Sequence, residues 1–181
     1  DKDNAMHLID VKRENSNYDL TKPDKLTELE AQIRNYKKQH GINELNQNGL
    51  TLLHKFIYEK NINEIKILLK VGVDPNTLSK NKETPLYLAT KLNKPDVVDA
   101  LIEAGAKVDQ ENDEKQNPIH IATENGNIKI VKTLIKANAN LTIEDPHGLA
   151  PIHLAAKGGQ IEVLKQLYAA GVNVNKQSSS G

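Results

Sequence analysis

The sequence predicts an all-α solenoid of stacked antiparallel helix pairs with projecting hairpin loops. Three observations carry that expectation. A quartet recurs in fixed register, as Thr51-Leu52-Leu53-His54, Thr84-Pro85-Leu86-Tyr87, Asn117-Pro118-Ile119-His120 and Ala150-Pro151-Ile152-His153, each beginning 33 residues after the last. An apolar stripe at three- and four-residue steps comes after each one: Ile62, Ile65, Leu68, Leu69; Pro95, Val98, Leu101, Ile102; Ile128, Val131, Leu134, Ile135; Ile161, Leu164, Leu167, Tyr168. That spacing lines one face of a helix. Each stripe then closes at Gly72, Gly105, Asn138 or Gly171, residue types that accept the left-handed backbone ending a helix.

Taken in order, residues 1–22 carry the weakest pattern and read as a leader, either mobile or belonging to an upstream unit, with His7, Leu8, Ile9 and Val11 able to tack onto the capping helix. Residues 23–44 read as that N-terminal capping helix, whose Leu26, Leu29, Ile33 and Tyr36 face the stack. Four units occupy 45–77, 78–110, 111–143 and 144–176, with a tail at 177–181. Pro85, Pro118 and Pro151 suit a first helical turn, where the missing amide hydrogen has no partner to lose, and Thr84 and Asn117 suit the capping position before it. Leu52 and Ala150 break that local chemistry. Gly126 and Gly159 mark the turn inside a pair; Asn93 accepts the same backbone, and Lys60 predicts looser geometry.

Neither helix of such a pair buries its apolar face alone, so each unit depends on its neighbours. The last unit keeps the apolar stripe of the others, including Leu164, Leu167 and Tyr168, where terminal units normally turn a polar face to water. Either the stack continues into further domains of a parent chain or meets a partner there, or Lys157, Glu162, Lys165 and Gln166 supply enough polarity.

In its register, its quartets, the adjoining Ile121-Ala122 and Leu154-Ala155-Ala156, and the Gly-Ala or Gly-Val closings, the chain resembles an ankyrin-repeat protein, strongly over Leu45 to Lys176 and weakly over the cap. The resemblance implies an ankyrin-repeat solenoid: paired helices and hairpin loops in a curved stack whose concave side and loop tips bind other proteins, with no catalytic residues and no cofactor. Gly49 and Gly148 fit the family's loop glycine, whereas Lys82 and Lys115 replace it and predict a different tip geometry in the middle two hairpins; Tyr87 replaces a quartet histidine.

Function classes narrow from composition. Lys plus Arg and Asp plus Glu both number 24, so no net field draws the chain to nucleic acid or an anionic membrane, and the absence of Cys removes thiol chemistry and Cys-based metal sites. No run of apolar residues has membrane-span length, and the start lacks a signal-peptide core. His54, His120 and His153 sit in separate units with no carboxylate recurring beside them, which reads as structural hydrogen bonding rather than a metal ladder. The lysines Lys66, Lys70, Lys129, Lys132, Lys136 and Lys165 read as a solvated convex face, interrupted by Glu64, Asp96, Asp99, Glu103 and Glu162.

The expected activity is therefore protein–protein recognition without catalysis, with an intramolecular brace for a catalytic domain elsewhere as the alternative. Candidate contact residues are the loop tips Gln47, Asn48, Leu50, Lys80, Asn81, Glu83, Asp113, Glu114, Gln116, Pro146, His147 and Leu149. On the first helices they are Tyr58, Glu59, Lys91, Leu92, Glu124, Asn125 and Lys157. Leu50, Tyr58, Leu92 and Leu149 stand out as apolar points, either contact anchors or half-buried packing. A high Asn content, of the kind AT-rich coding DNA produces, points to an intracellular bacterium or protozoan, and hence to a cytoplasmic protein or a secreted effector in host cytoplasm.

Overall fold

The computed structural model describes residues 22–40, 42–43, 45–59 and 62–179, without the side chains of Tyr36, Gln39 and His40. The leader reading, the Tyr36 contact and the geometry at Lys60 lie outside the described residues. Nine helices stand among those described: α1 Pro23–His40, α2 Leu52–Glu59, α3 Ile62–Lys70, α4 Pro85–Lys91, α5 Pro95–Glu103, α6 Pro118–Glu124, α7 Ile128–Lys136, α8 Pro151–Lys157 and α9 Ile161–Ala169. The first helices α2, α4, α6 and α8 pack in one row and the second helices α3, α5, α7 and α9 in another, which α1 extends by packing on α3. Leu29 and Ile33 of α1 join a continuous core running through Phe56, Leu68, Leu86, Leu101, Ile119, Leu134 and Leu167.

Local chemistry explains where the helices begin. Pro85, Pro118 and Pro151 are first helical residues, and the Thr84 hydroxyl accepts the Tyr87 N–H at 3.0 Å. Asn117 departs from expectation: its backbone is extended as a cap requires, but both polar atoms of its side chain are buried without a partner. The His120 ring replaces it, Nδ1 accepting the Asn117 N–H at 3.4 Å, and His153 does the same for Ala150 at 3.0 Å. A quartet histidine thus substitutes for a capping hydroxyl.

Second helices end as the closing residues predict. Gly72, Gly105, Asn138 and Gly171 all have positive φ. The next residue's N–H reaches back five positions, Val73 to Leu68, Ala106 to Leu101, Ala139 to Leu134 and Val172 to Leu167, while burying its own side chain.

The hairpin tips correct one expectation. All four have one shape, closed by Asn46 N–H to Leu50, Ser79 to Glu83, Asn112 to Gln116 and Asp145 to Leu149. Lys82 (φ 55°) and Lys115 (φ 53°) adopt the same left-handed backbone as Gly49 and Gly148. Side-chain acceptors enforce it: Asn46, Asn112 and Asp145 each receive two backbone N–H groups of their own tip, and Ser79 receives the Glu83 N–H. Between units, the Asn43, Asn76 and Asp109 side chains accept the N–H of Asp74, Lys107 and Asn140, a ladder that fixes one unit's spacing from the next.

Candidate protein-binding surface

Stacking leaves the first-helix row and the loop tips outside the core. One register column on the first helices reads Tyr58, Lys91, Glu124 and Lys157, all exposed; the neighbouring column reads Glu59, Leu92, Asn125 and Gly158. Tyr58 is 46% exposed, whereas Leu92 is packed on the core and Leu50 and Leu149 are half-buried. Packing therefore accounts for Leu92, and Tyr58 is the large apolar side chain this face offers. At the tips, Gln47, Asn48, Lys80, Asn81, Asp113, Glu114, Pro146 and His147 are exposed.

Two of the expected tip residues are used internally. Glu83 is only 8% exposed, its carboxylate held by Lys91 Nζ at 2.9 Å. Gln116 is half-buried and accepts the Tyr87 hydroxyl at 3.0 Å. Tyr87 therefore bonds forward to the next tip, as His54 does through Nε2 to the Glu83 carbonyl at 2.9 Å. Lys91 links these groups, with Nζ 5.8 Å from the Tyr87 ring centroid. Its hydrogen bond to Glu83 raises the Lys91 pKa, with Tyr58 contributing a weaker electrostatic effect in the same direction. Burial raises that of the Tyr87 phenol. A fixed cation beside an exposed ring is a surface for mixed apolar and polar contact.

The histidines are positioned by both ring nitrogens. His120 Nε2 bonds the Ile143 carbonyl at 3.1 Å and His153 Nε2 the Lys176 carbonyl at 2.7 Å. A carbonyl only accepts and a backbone amide only donates, so in these two rings the proton sits on Nε2 and Nδ1 is the acceptor. Burial lowers the pKa of His54, whose Nδ1 lies 2.7 Å from the Thr51 hydroxyl. Among the described residues, no group of three His, Cys, Asp or Glu side chains is placed to hold a metal ion. On the convex side Lys70, Lys129 and Lys165 are bonded at 2.7 Å to Glu30, Asp96 and Glu162.

Leu45 and Leu78 are exposed apolar residues absent from the sequence-based candidates. They precede the first two tips, 33 residues apart, and Glu111 and Glu144 continue their column. The register itself was the signal that could have found them.

The family model for ankyrin repeats in three copies matches residues 25–112 and 105–178. The chain belongs to the ankyrin-repeat family. Ankyrin repeats are generally protein–protein interaction modules, and the exposed first helices and tips are the surfaces left for that purpose. The chain is also similar to Alpha-latrotoxin-Lh1a of Latrodectus hasselti, 36% identical over 69 residues, which is 38% of this chain and 5% of that protein. No helix among the described residues is long and apolar enough to cross a membrane.

Proposed function

We propose that this ankyrin-repeat stack is a non-catalytic recognition module of a larger protein, binding a protein partner across its loop tips and first helices with Tyr58 as the anchor. The observation that carries the reading is Tyr58 itself: an aromatic ring 46% exposed beside Lys91 on a stack whose other first-helix apolar residues are packed. Interface energy concentrates in such aromatic anchors. Exposed Leu45 and Leu78 extend the apolar end of the surface, and Glu111, Glu114 and Glu124 make its other end acidic. A partner segment with an apolar portion followed by a basic one fits this order. Action as a secreted effector in host cytoplasm is supported by the Asn-rich composition alone.

The test is selection of binders from a displayed peptide library, repeated with Tyr58→Ala and with Glu114→Lys/Glu124→Lys. Selected peptides carry an apolar residue and a basic cluster, and bind the Tyr58→Ala chain at least about tenfold more weakly, while its helical spectrum is unchanged. Peptides held equally well by both variants contradict the proposed face.

A further inference from the structure

The far end of the stack presents a second surface. Ile161 is 64% exposed, Tyr168 67% and Val174 55%. One unit earlier, Ile128, Ile135 and Leu141 occupy the same register positions and are packed against the core. The backbone beyond α9 nevertheless keeps the internal pattern. Ser179 N–H donates to the Gly148 carbonyl at 3.2 Å, the bond Lys80 makes to Gly49 at 2.7 Å between the first two tips. The His153 bond to Lys176 likewise repeats that of His120 to Ile143.

Polar groups keep the same register. Asn175 stands where Asn43, Asn76 and Asp109 accept a backbone N–H from the next unit. Glu162 stands where Asp96 bonds Lys129 of the next unit at 2.7 Å. We infer that this end is an open inter-repeat interface and that its occupant is a further helix pair of the same 33-residue pattern, entering in register after Ser179. That pair places apolar side chains on Ile161, Tyr168 and Val174, a backbone N–H on Asn175 Oδ1 and a cation on Glu162. The surface continues an interface already repeated three times within the chain, which is why a helix pair fits it better than an unrelated shape.

The test compares the chain with an extended chain in which a copy of residues 144–176, carrying Glu162→Lys in the copy only, is joined after Lys176. Tyrosine nitration is read by mass spectrometry, with Tyr58 as internal standard. Nitration of Tyr168 relative to Tyr58 is expected to fall about tenfold on extension, and helical signal to increase by one pair. Unchanged Tyr168 nitration beside an unstructured extension overturns the inference. Sedimentation of the unextended chain decides against a second copy: a monomer supports the inference, whereas a dimer that Tyr168→Glu dissolves assigns the face to self-association and overturns it.

Discussion

The third and fourth helix pairs carry the same apolar register and meet different surroundings. In α7, Ile128 and Ile135 are packed on the core, while their counterparts Ile161 and Tyr168 in α9 stand largely in water. Their hydropathies are not what separates them, since Ile128 and Ile161 are the same residue. The difference teaches that a side chain in this stack takes its energy from the unit beside it, so burial depends on position along the array as well as on sequence.

The largest expected effect breaks the enclosed side of that comparison. Leu101→Ala in α5, fully buried, lowers stability by about 3 kcal/mol, read from the denaturant midpoint. Removing a cap costs less: Thr84→Ala lowers stability by about 1 kcal/mol, measured the same way, because the Tyr87 N–H loses its acceptor.

The buried His54 gives a pH dependence with a defined sign. Burial holds its folded-state pKa below the ordinary value, so the unfolded chain takes up the proton first. Its contribution is constant above the ordinary value, and stability is lost as pH falls from there toward the folded value. Thermal midpoints taken from about pH 7.5 to about pH 5.5 decline, and the decline is shallower in His54→Asn.

Lys115→Gly tests the hairpins and raises stability by about 0.5 kcal/mol by relieving a left-handed lysine. The smallest effect lies at the open end, where Tyr168→Ala changes stability by less than about 0.5 kcal/mol. Denaturant midpoints check both.

Much of the fold is legible because its signals are local or strictly periodic. Pro85, Pro118 and Pro151 begin helices where proline chemistry places them, and Asn138 closes α7 in the left-handed form expected of it. The tips at Lys82 and Lys115 escape such reading because lysine has no local preference for positive φ; the turn is imposed by Ser79 and Asn112 several residues earlier. The surface is less legible. Glu83 has the position of a tip residue, but Lys91, on the helix after it, turns back to hold it. Leu45 and Leu78 fall between elements, where no helical stripe draws attention to them, and Asn117 has the residue type of an ordinary cap while the His120 ring takes that role.

Amide hydrogen exchange, resolved by helix, tests the nearest-neighbour claim most directly. Helix α7, enclosed by α5 and α9, is expected to exchange far more slowly than α9, despite their matching apolar register. Equal protection of the two helices would contradict that claim.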